Sequence, residues 1–332
     1  MQISLQNEVP TPADVIAAGD RLRGRVRHTP LLESAALNAR IGGRVLIKPE
    51  SLQLTGAFKV RGAFNRLLVM NGSEQASGIV AWSAGNHAQA LAFVGKQLGI
   101  AATIVMPSDA PKAKIIGTKR FGAKIVFYDR RTEDREAIGR AIAAENGAII
   151  VPPYEDKYVI AGGGTAALEL LDDTAALDIR LDRIIVCVGG GGLIAGCGLA
   201  AQACGSEAHI VAAEPVHFDD TRKSLIAGFR VANDLSQNSI ADALLTATPG
   251  EMTFALNQKL VRTAYAVNDD DIRAAMTTAF EDFRLVTEPG GVASLAALLA
   301  NANDFSGMNT GVIITGGNVD PSLFSAVIGG LA

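Results

Sequence analysis

Ile184-Ile185-Val186-Cys187-Val188-Gly189-Gly190-Gly191-Gly192-Leu193-Ile194-Ala195-Gly196 decides the fold. Its first five residues are apolar and mostly β-branched, the pattern of a buried strand. Four glycines follow as a loop, and the small apolar residues from Leu193 onward read as a buried helix. From Ile184 to Ser206 no residue carries a charge. That length would span a bilayer, yet the glycines divide it into a β-branched half and a small-residue half, so strand, loop and helix is the better reading.

Outward from this unit the same alternation recurs. Strand-like runs stand at 44–48, 78–82, 102–106, 124–128, 148–151, 183–188, 209–213 and 311–315. Helical periods occupy 12–26, 58–70, 85–98, 110–121, 133–145, 163–171, 193–204, 269–284 and 291–300. Short βα alternation with buried strands predicts an α/β protein with open, mainly parallel twisted sheets flanked by helices. No Pro- or Ser-rich linker, internal repeat or low-complexity tract divides the chain. Residues 80–155 hold successive βα units that can close as a small sheet, so the expected division is 80–155 as a small domain, with 1–79 plus 156–332 as a large one. A site between them, at the carboxyl ends of the strands, is where such sheets bind ligands.

The chain has 332 residues, long enough to bury a large core. Its 30 basic and 34 acidic residues give a net charge of −4 without a basic block, which argues against nucleic acid or anionic membrane as a partner. Cys187, Cys197 and Cys204 lack CxxC spacing, so reduced thiols of a cytosolic protein are expected over disulfides or zinc. Met1 to Glu8 contain no basic segment followed by an apolar one, so no secretion signal is expected.

Gly189, Gly190, Gly191 and Gly192 can turn successive backbone N–H groups toward an anion, helped by the positive end of the helix that follows. The alternative is a tight βα turn. Neither GxGxxG nor GK[ST] is present, which weakens dinucleotide and P-loop readings. Upstream stands Leu54-Thr55-Gly56-Ala57-Phe58-Lys59-Val60-Arg61-Gly62. A lysine near a phosphate cradle is what an enzyme needs to hold pyridoxal phosphate as a Schiff base. Ser83-Ala84-Gly85-Asn86-His87 marks another strand–helix junction, either a carboxylate clamp or an ordinary capped helix start.

Together TGAFKxRGA, SAGNHAQALA, VGGGGLIAG and ITGGNVD occur in the order of the pyridoxal-phosphate enzymes of the tryptophan-synthase-β fold, fold type II. The chain most resembles the threonine/serine dehydratase and serine racemase branch, from Asp14 to the C-terminus, including Arg27-His28-Thr29-Pro30-Leu31 and Val159-Ile160-Ala161-Gly162. The resemblance implies that Lys59 is the Schiff-base lysine and α-proton base, and that Phe58 packs on the cofactor ring. It implies that Asn86 meets the ring oxygen, that Ser83 with Ala84, Gly85, Asn86 and His87 clamps the substrate carboxylate, and that Gly189–Gly192 hold the phosphate. Thr315 falls where a hydroxyl faces the pyridine nitrogen. A neutral hydroxyl there makes the ring a weaker electron sink and favours elimination over transamination.

Racemases of this branch read SSGNH, their second serine acting opposite the lysine. Here that position is Ala84, whose methyl group moves no proton, so dehydration ranks above racemisation. Arg135 stands where an arginine of racemase-like relatives lies near the cleft mouth. It is expected either to pair with a distal substrate carboxylate, as on 3-hydroxyaspartate, or to be an exposed helix residue. Ala213-Glu214-Pro215-Val216-His217-Phe218-Asp219-Asp220 resembles the branch's divalent-cation loop, with Glu214, the Phe218 carbonyl and Asp220 as oxygen ligands for Mg²⁺, Ca²⁺ or Mn²⁺. Gly163, Ala243, Ala57, Pro153 and Tyr154 depart from the family's usual residues and alter the cleft wall.

The expected activity is β-elimination from small β-hydroxy amino acids such as threonine or serine, giving 2-oxo acid and ammonia. 3-Hydroxyaspartate or a hydroxyectoine-derived amino acid is the alternative substrate, and serine racemase the rival enzyme. A homodimer is expected from the resemblance. So is the lack of a C-terminal regulatory domain, since the chain ends soon after Asp320.

Overall fold

The chain builds two mainly parallel sheets. In the computed structural model, residues 9–110, 112–129 and 131–330 are described. The strands are β1 (Leu32–Glu33), β2 (Arg44–Pro49), β3 (Ile79–Trp82), β4 (Ala102–Pro107), β5 (Lys124–Tyr128), β6 (Ile149–Ile150), β7 (Arg183–Cys187), β8 (His209–Pro215), β9 (Val261–Val267) and β10 (Asn309–Ile314). One sheet has the order β1-β2-β10-β7-β8-β9 and the other β5-β4-β3-β6. Among the strand pairings of the described residues, β1–β2 alone is antiparallel.

The inner strands explain why the apolar runs were readable. Ile184, Ile185 and Val186 of β7, Val211 and Ala212 of β8, and Val312 to Ile314 of β10 are all fully buried. Parallel strands covered on both faces carry continuous apolar runs, and each Val or Ile side chain among them contributes about 1.5–3 kcal/mol on burial. The charge-free segment resolves into β7, the glycine loop and the buried helix Gly192–Ala203. Among the described residues no helix is long and apolar enough to cross a membrane. Cys187 and Cys197 are buried and Cys204 exposed, all three as free thiols.

All eight expected strands form, and β1 and β9 are additional. Val261-Arg262-Thr263-Ala264-Tyr265-Ala266-Val267 is an edge strand, half-exposed along most of its length, so it shows no continuous apolar run. It also follows the helix Glu251–Leu260 without an intervening turn. The helix expected at 163–171 is far longer, Lys157–Ala175, and contains Gly162, Gly163 and Gly164.

Two of those helix glycines, Gly162 and Gly164, are explained by packing, whereas a Cβ on Gly163 would make only ordinary contacts. A Cβ on Gly164 would run into Gly196 O, and one on Gly196 into Ile160 O. On the other side, a Cβ on Gly162 would lie 2.7 Å from Arg61 O, and one on Gly62 2.8 Å from Val159 O. Helix Lys157–Ala175 therefore lies with its backbone against two others: Lys59–Leu68, which begins at the lysine, and Gly192–Ala203, which begins at the glycine loop. Helix propensity was given up, at roughly 1 kcal/mol per glycine, for this close approach.

The lysine helix is further held by buried charge. Arg61 is fully buried and pairs with Glu50 at 2.7 Å and Glu169 at 2.7 Å. Lys48, also fully buried, meets Glu169 at 2.9 Å and Asp173 at 3.0 Å. The apolar side of the helix, Val60, Ala63, Phe64 and Leu67, joins the core of the four-stranded sheet with Ile79, Leu91 and Ile104. The helix thus sits between the two sheets.

Candidate active site

Lys59 opens its helix, and its Nζ donates to the Pro153 carbonyl at 2.7 Å. Nζ lies 5.0 Å from the centroid of the Phe58 ring. Desolvation lowers the lysine pKa to about 8, so near neutral pH an appreciable share of it is the free amine. Beside it His87 is buried, and its Nε2 meets the Val151 carbonyl at 2.9 Å. Burial first, then the Lys59 charge, pushes His87 down to about 3, so the imidazole is neutral. Two carbonyls of one short segment, Val151 and Pro153, thus meet the histidine and the lysine.

The segment after Pro153 carries the glycine loop. A Cβ on Gly190 would run into the Tyr154 ring, and one on Gly192 would lie 2.9 Å from Tyr154 Cβ. Gly191 has φ +88°, and a Cβ there would lie 2.7 Å from Asn257 Nδ2. Thr253 Oγ1 donates to Gly190 O at 2.7 Å and Asn257 Nδ2 to Gly191 O at 3.2 Å, so carbonyls of the loop are tied away on helix Glu251–Leu260. Helix Gly192–Ala203 starts with no side-chain cap. Its free N–H groups and positive end remain for an anion.

Asn86 is held from two sides. Its Nδ2 donates to Glu288 Oε1 at 2.5 Å, and its Oδ1 accepts from Asn318 Nδ2 at 2.8 Å. Phe58 N–H donates to Thr315 O at 3.0 Å, and Gly317 N–H to Gly56 O at 2.8 Å, so the lysine loop and the end of β10 are stitched together. Thr315 is buried there. Ser83 N–H donates to Val105 O at 3.2 Å, and Ser83 Oγ accepts the Gly85 N–H at 3.3 Å. Residues 83–86, Ala84 and Gly85 among them, are half-buried, with Gly85 as N-cap of helix Asn86–Leu98.

Arg135 is the first residue of helix Arg135–Asn146 and is exposed. Burial raises the Tyr154 phenol, Glu155, Glu136 and Asp220 add to that, and Arg135 opposes it. Tyr154 therefore feels groups from the small sheet's last helix and from the loop after β8. Near the end of β8 itself Glu214 is fully buried and accepts the N–H groups of Thr221 at 2.9 Å and Arg222 at 2.8 Å. Burial, then Asp220, raises its pKa well above the ordinary value. Asp220 accepts from Asn233 Nδ2 at 2.7 Å and is pushed up to about 6, chiefly by burial. Phe218 is buried between them in sequence. Among the described residues no group of three His, Cys, Asp or Glu side chains gathers as a metal set.

The structure ties Phe58 to Thr315, Lys59 to Pro153 and Asn86 to Glu288 and Asn318, and packs Gly190 and Gly192 on Tyr154, while Ser83 bonds to Val105 and Gly85. Pro153, Glu288, Asn318, Thr253 and Asn257 were not singled out as contacts of the cradle, the lysine or Asn86 by sequence reasoning. Glu288 lies 202 residues from Asn86, and nothing in Thr287-Glu288-Pro289-Gly290-Gly291 except a lone acid among glycines hints at it.

The chain is similar to known proteins over most of its length. A family model described as pyridoxal-phosphate dependent enzyme matches residues 22–316. An L-threo-3-hydroxyaspartate ammonia-lyase of a Pseudomonas species is 41% identical over 96% of this chain and 98% of its own. Among solved structures, maize serine racemase superposes with TM-score 0.90 at 35% identity, covering 98% of each chain. A threonine deaminase from T.th. gives 0.88 at 35%, covering 94% of this chain and 99% of its own. With its lysine, its glycine cradle and its two parallel sheets, the chain belongs to the pyridoxal-phosphate dependent enzymes, in their fold type II.

Proposed function

We propose that this enzyme is an ammonia-lyase for small β-hydroxy amino acids, with a β-hydroxy dicarboxylate of the 3-hydroxyaspartate type as its preferred substrate. The observation that carries the reading is Lys59, fixed on Pro153 O, whose neighbour Tyr154 packs on the uncapped, glycine-lined helix start; desolvation lowers the lysine to about 8. The residues fit pyridoxal phosphate: helix Gly192–Ala203 starts without a side-chain cap, and only glycine at 190, 191 and 192 lets this backbone pack against Tyr154, Thr253 and Asn257. Gly189–Gly192 would hold its phosphate, Asn86 its ring oxygen, Thr315 its ring nitrogen, and Phe58 its ring face. Once bound, the cofactor draws electrons from the substrate α-carbon, so that the α-proton becomes removable.

The chain's own groups supply the rest. Lys59 in its neutral form accepts the α-proton, and burial is what makes that form available. Ser83 and the N–H groups of 84–87 hold the substrate α-carboxylate at a helix start. Ala84 offers no group to return a proton from the opposite face, which favours elimination over racemisation. Arg135, whose charge reaches Tyr154 above the cradle, pairs with the distal carboxylate.

The end of β8 with the loop after it takes a divalent cation through Glu214, the Phe218 carbonyl and Asp220, with water completing the shell. Its support is two buried carboxylates, of which Asp220 raises the other's pKa, a repulsion that a hard cation offsets. Residues 80–155 form the small substrate-binding domain and 1–79 plus 156–332 the cofactor-binding one; the sheet β3–β6 lies within 79–150. The reading carries with it the homodimer and the cytosolic location, checked by mass in solution and by fractionation.

The test is 2-oxo acid release from serine, threonine and both 3-hydroxyaspartate diastereomers, with and without Mg²⁺. Release from a 3-hydroxyaspartate diastereomer at the highest kcat/KM is expected. Arg135→Ala should raise KM for that substrate roughly tenfold or more and leave threonine little changed, the size of one charge-assisted contact. No release from any substrate would overturn the reading.

A further inference from the structure

Asn86 has three hydrogen-bonding elements beyond its backbone: one oxygen acceptor and two N–H donors. The oxygen is taken by Asn318 Nδ2 at 2.8 Å, and one donor by Glu288 Oε1 at 2.5 Å. Asn318 Nδ2 also donates to Thr55 O at 2.8 Å, so its own amide orientation is set by the lysine loop. Both contacts on Asn86 demand the same orientation: oxygen toward Asn318, nitrogen toward Glu288. Flipping the amide would set oxygen against carboxylate and N–H₂ against N–H₂.

Glu288 is itself placed with care. It is buried, and its backbone N–H donates to Gly316 O at 3.1 Å. A Cβ on Gly316 would collide with Glu288 Oε1, so the carboxylate passes over a residue that must be glycine. Thr315 N–H donates to Gly291 O at 2.9 Å, tying the Glu288-Pro289-Gly290-Gly291 turn to the end of β10. The carboxylate, Asn86 and Asn318 thus form a chain across the loops that carry Lys59 and Thr315.

We propose that Glu288 is a positioning residue: with Asn318 it locks the Asn86 amide so that the remaining N–H points at the site of the cofactor's ring oxygen. The inference rests on the assignment of the pyridoxal-phosphate site made above. A freely rotating amide would present its oxygen half the time, and that oxygen repels an anionic ring oxygen instead of donating to it. The lock removes that wrong state and leaves one donor in place before the cofactor arrives. What matters in Glu288 is its acceptor oxygen facing Nδ2, which a glutamine can also supply.

The experiment uses the full chain loaded with pyridoxal phosphate and no substrate. Cofactor affinity and the ratio of the two near-ultraviolet and visible absorbance bands are read across pH, with thermal melting as the folding control. Glu288→Ala and Asn318→Ala should each weaken cofactor affinity roughly five- to tenfold, the size of one lost hydrogen bond, and shift the band ratio as Asn86→Ala does. Glu288→Gln should restore most of both. Adding Glu288→Ala to Asn86→Ala should have little further effect, since the two act through one group.

An unchanged band ratio in both Glu288→Ala and Asn318→Ala overturns the lock. So does a Glu288→Gln variant as impaired as Glu288→Ala, which would make the charge the working feature. If Glu288→Ala does not fold, Asn318→Ala on the opposite flank decides the question alone. A parent protein that develops no band with pyridoxal phosphate would overturn the site assignment itself, a result distinct from either.

Discussion

Strands β7 and β8 lie side by side in parallel, Cys187 opposite Ala213, and each runs into a loop and then a helix. The two ends do opposite work. After β7 come four glycines, and helix Gly192–Ala203 begins without a side-chain cap on its first N–H groups. At the end of β8 the chain buries Glu214, whose carboxylate already takes the Thr221 and Arg222 N–H groups at the start of helix Asp220–Ala227. A helix start is an anion site only where the protein has not filled it with a carboxylate of its own. At the second site the excess is negative, and the foreign ion that suits it is a cation.

That contrast can be broken from either side. The largest effect is expected at Lys59, where Lys59→Ala should lower 2-oxo acid release by at least ~10³-fold through loss of the base and covalent anchor. The variant should still bind pyridoxal phosphate reversibly, because the cradle is backbone and does not depend on the amine; equilibrium dialysis measures this. Gly191→Ala strikes the cradle itself, where φ is +88° and Asn257 Nδ2 would be 2.7 Å from the new Cβ. It should cost roughly 2 kcal/mol, read as about 30-fold weaker cofactor binding together with a lower Tm.

At the β8 end the expected effects are smaller. Mg²⁺ at about a hundred times its Kd should stabilise the parent by about 2.7 kcal/mol, and Asp220→Ala should remove that increment in thermal melts. If Mg²⁺ leaves the parent's Tm unchanged, the loop is only a self-capped helix start and the comparison loses its second half. The smallest effect concerns pH. Burial lowers Lys59 to about 8, so covalent capture of pyridoxal phosphate by the cofactor-free protein should quicken about tenfold per pH unit and level off above about 8. Capture that stays level from pH 6 to 9 would show that the amine is not desolvated.

How much of this was readable depends on what carried the information. The buried strands and the glycine loop are contiguous, so their apolar runs and glycines stand out along the chain. β9 escaped because an edge strand half-covered by solvent has no reason to be uniformly apolar. The full length of helix Lys157–Ala175 is hidden because its glycines argue against a helix, and only its two packing partners explain Gly162 and Gly164. Lys59, Asn86 and Thr315 came from motif resemblance. Glu288 and Pro153 had no motif to announce them.

By itself the sequence determined the α/β class and marked the glycine loop Gly189–Gly192 and Lys59 as candidates for a cofactor site. Each of these is written in neighbouring residues, and short-range patterning is enough to specify them. Tertiary structure alone decided that Pro153 holds Lys59, that Tyr154 covers the cradle and that Glu288 and Asn318 grip Asn86 from either side. It also decided that Lys59 is an amine with pKa about 8, because desolvation is a property of what surrounds a group. The site is assembled from segments up to 263 residues apart, as between Thr55 and Asn318, and no local pattern encodes such a meeting.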